Sequence, residues 1–323
     1  MKLSRLGEFG LINRVRRTMP TSRDVGLGIG DDAAWVRAKT DSFFVTADLL
    51  LEDVHFDLNW TSLSDLGYKT LAVNLSDIAA MGGVPAYLTL SLGIPRHFTS
   101  EKLDRFYHGI QSLAVQHNVA VVGGDISVAD KLLISACLIG HAPYRPIRRS
   151  GAKPRNDIYV TGTLGDSALG LHLLKSKMLR KKGAGYLLNR HHKPTPRLAI
   201  GALLARKGLA TAMIDVSDGL LQDLGHICRA SLIGARIWEE ALPLSRAYRE
   251  LAGNEGTRYA LTGGEDYELL FTMKQDDYEK IKDNPAISII GYMTEPEAGA
   301  HILTKGGNKF AITAQGWNAF SNE

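Results

Sequence analysis

The chain has 323 residues, 45% of them hydrophobic and 22% charged, the mix of a globular protein with a sizeable core and room for two domains. A formal charge of +4 is too small to imply a polyanionic partner by itself. The start, MKLSRLGEFGLINRVRR, lacks the apolar core of a signal peptide, and no apolar run approaches the ~18 residues of a membrane span, so a cytoplasmic protein is expected with neither a membrane nor a nucleic acid as partner. Cys137 and Cys228 stand far apart, belong to no CxxC pair, and read as reduced thiols.

In chain order, SFFVTAD reads as a strand ending at Asp48. Residues 64–81, SDLGYKTLAVNLSDIAAM, read as a helix, because Leu71, Leu75, Ile78 and Ala79 recur at helical spacing and Gly82-Gly83 ends the run. YLTLSLGI is a strand, SEKLDRFYHGIQSLAVQHN a helix, VAVV a strand turning at GGD, and LLISACLIG another strand. HAPYRPIRRSGAKPRND is rich in Pro and Arg and reads as a linker, which places a domain boundary near residue 145. Beyond it IYVTG is a strand, TLGDSALGLHLL a turn into a helix, TAMIDVS a strand leading into the helix DGLLQDLGHICRA, and YELLFTM and ISIIGYM are strands. The basic run KSKMLRKKG reads as a solvated loop or helix end. The expected class is α/β (α+β), with mixed sheets flanked by helices in two domains, 1–145 and 146–323.

Acidic turns recur along this frame: GIGDD (Asp31, Asp32), VTAD (Asp48), NLSDIAAMGG (Asp77), VVGGD (Asp125), IDVSDG (Asp215, Asp218) and TGGED (Glu265, Asp266). Most fall, in this reading, at strand ends, where α/β proteins bind ligands. Each acid alone has an ordinary alternative: Asp before Gly suits a turn, and Asp31 or Asp218 suits a helix cap. Asp77 differs, since it lies in a helix apolar around much of its circumference, and a buried carboxylate is costly unless it is paired or metal-bound. Two unit charges ~4 Å apart repel by ~4 kcal/mol at an effective dielectric near 20, so a cluster of acids calls for cations between them. An all-oxygen set without Cys or His at zinc spacing points to Mg²⁺, Mn²⁺ or Ca²⁺, and Mg²⁺ completes its shell with substrate phosphates. GIGDDA also matches G-x-G-x-x-A, but TSRDVGL before it makes a poor buried strand and adjacent aspartates oppose a bare pyrophosphate. Walker A, HRD and DFG motifs are absent.

GEFGLI, GIGDDAA, AVNLSDIAAMGG, VVGGD, RSGAKP, VTGTLGDSA, IDVSDGL, GGEDYEL and QGW, in this order and nearly end to end, make the chain resemble the thiamine-monophosphate kinase family, within the superfamily of aminoimidazole ribonucleotide synthetase and selenophosphate synthetase. The resemblance implies transfer of the ATP γ-phosphoryl group to thiamine monophosphate with several Mg²⁺ ions. It also implies a homodimer paired through the N-terminal sheets, and a C-terminal α/β domain closing over the active site. Position by position, it implies metal ligands at Asp32, Thr46, Ala47, Asp48, Asp77, Asp125, Asp215 and Asp218. It implies nucleotide contacts at Tyr107, Gly124, Asp125, Arg149 and Ser217, and substrate contacts at His55, Glu265 and Trp317. Ala47 stands where relatives often carry Thr, which leaves only a backbone carbonyl there. His55, Tyr107, Arg149 and Trp317 would by themselves read as packing or solvated residues. Because the acceptor, a phosphate monoester, is already ionised, no catalytic base is expected. Selenophosphate synthetase would carry Cys or Sec in an N-terminal glycine-rich loop, where this chain has none. Aminoimidazole ribonucleotide synthetase and a non-enzymatic cation-binding or nucleic-acid-binding protein are the rival readings.

Overall fold

The computed structural model describes residues 12–29, 34–304, 306 and 308–311. By internal contacts these fall into two compact units: one holds the residues up to Ile78 and Gly83–Pro143, the other Ala79–Gly82 and the residues from Tyr144 onward.

In the first unit, helical residues 12–18 (α1) are followed by a small hairpin-like pair, β1 (Val25–Leu27) and β2 (Trp35–Val36). A four-stranded sheet has the order β3 (Phe43–Leu51), β6 (Leu133–His141), β4 (Val84–Ile94), β5 (Ala120–Val128). β3 and β4 run antiparallel to β6, whereas β4 and β5 run parallel, as the connecting helix α3 (Ser100–Gln116) requires. The helix α2 (Leu63–Ala80) lies between β3 and β4 in sequence. Its Leu66, Leu71, Leu75 and Ile78 are no more than 1% exposed, and burying each contributes about 1.5–3 kcal/mol.

α2 and α3 cross at two reciprocal glycines. A Cβ on Gly67 would lie 1.9 Å from the Phe106 carbonyl oxygen, and one on Gly109 would lie 1.9 Å from that of Ser64. Neither side chain has room, so the two backbones approach as closely as only glycine allows.

Strand lengths depart from the sequence reading. β3 runs past Asp48 to Leu51, because β6 pairs with it along its whole length, Leu51 opposite Leu133. β5 runs through GGD instead of turning there, since β4 continues beside it from Tyr87 to Ile94. Asp48 and Asp125 are therefore strand-interior residues. Alternation along β3 leaves Phe43, Val45 and Leu49 exposed at 44%, 69% and 51%, while Thr46, Asp48 and Leu50 turn to the other face.

The second unit is built on a seven-stranded sheet. Its order is β13 (Lys309–Ala311), β12 (Ala300–Leu303), β9 (Gly234–Trp238), β11 (Ile287–Thr294), β7 (Asp157–Thr161), β10 (Leu269–Met273), β8 (Ala210–Asp215). Only the β12–β9 pair is parallel among them. Helices α4 (Asp166–Lys175), α5 (Ala184–His192), α6 (Leu198–Lys207), α7 (Leu220–Ser231), α8 (Arg246–Leu251) and α9 (Arg258–Thr262) complete it. Ile158, Val160, Ile214, Leu224 and Ile227 belong to its buried core. The segment between β6 and β7 carries no helix or strand, yet it is stapled in place. The Arg148 carbonyl accepts the Met213 N–H at 2.9 Å, and the Gly151 and Ala152 N–H groups donate to Ser231 Oγ, each at 3.2 Å.

Candidate active site

In the first unit the structure brings Thr46, Asp48 and Asp77 together. Thr46 Oγ1 donates to Asp77 Oδ2, from the β3 face that turns toward α2. Asp77 is half-buried, as its place in an apolar helix led us to expect. Burial, and then the Asp77 charge, push the Asp48 carboxyl up to about 6. Two crowded oxygen donors and a hydroxyl, half withdrawn from water, form a set that suits a hard divalent cation.

Ala47 points the opposite way, to the exposed face of β3. Asp125 is not brought to this group. The register sets Asp125 beside Ser91, Ser91 beside Ser135 and Ser135 beside Leu49, the row of an outward-facing residue. It thus stands on the opposite edge strand and the opposite face from Asp48, with roughly 14 Å of sheet width between them. Its own Oδ1 accepts the Ile126 N–H at 2.9 Å. Of the four acids expected to converge in this half of the chain, the structure brings Asp48 and Asp77 together and sets Asp125 apart, and Asp32, with its neighbour Asp31, lies outside the described residues.

Gly124 next to it has φ +157, and a Cβ there would meet the Leu90 carbonyl oxygen at 1.9 Å. Tyr107 is 7% exposed, packs edge-on against Phe106, and lines a cleft of about 820 Å³ with Arg14, Arg17, His108 and Gln111; burial raises its phenol. His55 sits in the turn after β3, where its Nδ1 accepts the Leu51 N–H at 3.1 Å.

In the second unit Asp215 ends β8 at 4% exposure, and Ser217 and Asp218 follow in the turn to α7. Asp218 Oδ2 accepts from Gln222 Nε2 at 2.9 Å. The loop 263–268 lies against this turn. Glu265 N–H donates to the Ser217 carbonyl at 2.8 Å, Tyr267 N–H to that of Val216 at 2.9 Å, and Val216 N–H to that of Glu268 at 2.8 Å. Glu265 and Tyr267 both take left-handed backbone, φ +67 and +52, a strained choice for residues with side chains. Glu265 Oε2 lies 3.3 Å from Nδ1 of the buried His191, which also meets Ser167 Oγ at 3.1 Å. Arg149 is exposed, and its charge, with those of Arg229, helps burial to lower the His226 imidazole. Trp317 lies outside the described residues.

Sequence reasoning placed Asp266 among the acidic turns without a role, and it missed Glu268 and Asp223, the other groups that hold these loops. Asp266, 1% exposed, accepts the Gly165 N–H at 2.6 Å and the Ser167 N–H at 3.2 Å; burial raises its carboxyl to about 8. Glu268, fully buried, takes two bonds from Arg197, each at 2.6 Å, and one from Arg190 at 2.8 Å. Asp223 accepts three backbone N–H groups, and burial raises it to about 7 against their pull. A signal for Asp223 was present: it interrupts the apolar stripe of Leu220, Leu224 and Ile227, as Asp77 interrupts that of α2.

Two units of this build, with half-buried carboxylates in one and an acid-rich, glycine-tight turn in the other, define the AIR synthase related class. The description "AIR synthase related protein, N-terminal domain" matches residues 30–142, and the corresponding C-terminal domain matches residues 153–303. The chain is 37% identical to a thiamine-monophosphate kinase of Bacillus subtilis, over 98% of this chain and all of that one. The crystal structure of the thiamine-monophosphate kinase from Stenotrophomonas maltophilia superimposes with a TM-score of 0.84 at 39% identity, covering 92% of this chain and 96% of that one. AaThiL complexed with AMPPCP and TMP superimposes with a TM-score of 0.78 at 35% identity, covering 99% of both chains. The chain belongs to the thiamine-monophosphate kinase family and is an enzyme of that class. No helix among the described residues is long and apolar enough to cross a membrane.

Proposed function

We propose that the protein transfers the γ-phosphoryl group of ATP to the phosphate of thiamine monophosphate, giving thiamine diphosphate and ADP. The observation that carries this reading is the end-to-end correspondence with AaThiL, a relative bound to AMPPCP and TMP. AMPPCP differs from ATP in the bridge between its last two phosphorus atoms, so it occupies the place of a phosphoryl donor without transferring.

The obstacle to this reaction is charge, since donor and acceptor are both polyanions. The acceptor oxygen is already ionised, so no side chain has to remove a proton from it. The bond between the γ-phosphorus and the β,γ-bridging oxygen breaks as a bond from an acceptor phosphate oxygen forms in line, and ADP leaves. By family position, Asp32, Thr46, Ala47 through its carbonyl, Asp48 and Asp77 would hold Mg²⁺ in the first unit, and Asp215 and Asp218 would hold it in the second. Asp125, on the other face of its sheet, is assigned by family position both to Mg²⁺ and to the nucleotide. Held by these residues, Mg²⁺ would supply charge neutralisation for both phosphate chains. Thr46 donates to the Asp77 carboxylate, and burial makes an uncompensated charge on Asp48 costly, which a bound cation would offset. Gly124 lets the nucleotide approach the backbone of β5, while Tyr107, Arg149 and Ser217 contact it. Glu265 sets a negative charge against the cationic thiazolium, with Trp317 as an aromatic face and His55 as a further contact.

The protein is proposed to be a cytoplasmic homodimer. The apolar outward face of β3, with Phe43, Val45 and Leu49 exposed, supports pairing through this sheet. The test of the reaction is ADP release measured across thiamine monophosphate, thiamine and aminoimidazole precursors. Release dependent on thiamine monophosphate, with no phosphorylated enzyme on acid quenching, is expected. Turnover of an aminoimidazole precursor instead, or a stable phosphoenzyme, would refute the reading.

A further inference from the structure

Asp223 is 1% exposed and lies on the apolar stripe of α7, where a carboxylate needs partners. Its partners are backbone. Asp223 Oδ2 accepts the N–H groups of Ser217 at 3.1 Å, Asp218 at 3.2 Å and Gly219 at 3.0 Å. These residues come just before the first turn of α7, and amides at a helix start have no partner within the helix. One carboxylate oxygen, reaching back from inside the helix, satisfies all three.

Asp218, Asp223 and His226 also bring ligand atoms within 4.8 Å of one another, which resembles a cation site. The surroundings speak against one. The Asp223 oxygen that faces the loop is already filled by amides. His226 Nδ1 lies 3.2 Å from Arg229 Nη2, and burial, then the positive charges of Arg229 and Arg149, lower its basicity, so a cation here would face cations.

We infer that Asp223 is a positioning residue that fixes the direction in which the IDVSDG loop presents Ser217 and Asp218. The opposite side of the loop is closed by backbone. A Cβ on Gly264 would lie 2.4 Å from the Ser217 carbonyl oxygen, and one on Gly219, at φ +130, would lie 2.8 Å from that of Thr262. The loop thus has no slack toward residues 262–265, and Asp223 sets its remaining freedom. This inference rests on the assignment of Ser217 to the nucleotide and Asp218 to a metal ion.

The experiment compares Asp223→Ala and Asp223→Asn in the full-length enzyme, with ATP, thiamine monophosphate and Mg²⁺ each varied. The carboxamide oxygen accepts the same three N–H groups, so Asp223→Asn stays within about threefold of the parent. Asp223→Ala raises KM for ATP about tenfold or more while KM for thiamine monophosphate holds. Amide hydrogen exchange in the parent is measured alongside, and the amides of 217–219 exchange as slowly as those inside α7. Loss in both variants that excess Mg²⁺ restores would make Asp223 a ligand and overturn the inference. So would a lower melting temperature for Asp223→Ala with parental kinetics, or fast exchange at 217–219. If Asp223→Ala does not fold, the exchange result and the Asn variant decide. Parental kinetics in Ser217→Ala and Asp218→Asn would instead refute the site assignment and leave the anchoring intact.

Discussion

At the scale of single residues, the Asp48–Asp77 pair is where folding and function pull in opposite directions. The folded protein holds a proton on Asp48 up to about pH 6, whereas an unfolded chain releases it near 3.8. Between those values the folded state binds more protons, so stability is greatest at the acid end and falls as pH rises; above 6 the full cost is present. In metal-free protein, Asp48→Asn should therefore be more stable than the parent above pH 6, by on the order of 2 kcal/mol, with the gap closing toward pH 4. Denaturant titrations across pH measure this, and a pH-independent gap would show that Asp48 is not under charge stress. Asp77→Asn removes a carboxylate charge at nearly constant volume, and with it the proposed Mg²⁺ ligand. The fold should persist while turnover drops about a hundredfold or more. Near-parental activity at limiting Mg²⁺ would make Asp77 a structural residue. Asp77 was legible in the sequence because an acid in an apolar helical stripe is conspicuous. Asp223 offered the same signal, but its partners are backbone groups of a turn, and no residue pattern announces those. Glu268 was hidden because its two arginines come from α5 and the start of α6, far away in the chain.

At the scale of elements, α2 and α3 depend on their glycine crossing. Gly67→Ala and Gly109→Ala each place a methyl group on a carbonyl oxygen, and each should cost about 2–3 kcal/mol through forced separation of the helices. Unchanged unfolding midpoints would mean that the crossing is looser than the geometry shows. Both helices were readable from their spacing of apolar residues, and β3, β4, β6, β7 and β8 from their apolar runs. The ends of β3 and β5 were not, because Asp and Gly-Gly suggest turns, while a paired neighbour holds both strands extended. β9, GARIW, was too short to show a period, and α6, LAIGALLARK, is apolar on nearly every side.

At the scale of the whole molecule, the outward face of β3 carries the prediction on assembly. Val45→Lys sets a charge at the centre of that apolar row and should convert a dimer into monomers, as read by sedimentation equilibrium. A mass unchanged by the substitution would place the contact elsewhere. The Pro- and Arg-rich segment, read from the sequence as a linker, is free of regular structure yet is held by Met213 and Ser231.

The position of β8 has a consequence for biosynthesis. Among the described residues this strand is paired with β10 alone, and β10 is the later of the two in the chain. Until the ribosome has released β10, the stretch ending in Asp215 has no ladder and the carbonyl of Ser217 has no amide to receive. The turn that carries Ser217 and Asp218 is thus a late event in maturation. A chain interrupted before β10 would present a bare apolar strand, a substrate for chaperones and proteases rather than for chemistry.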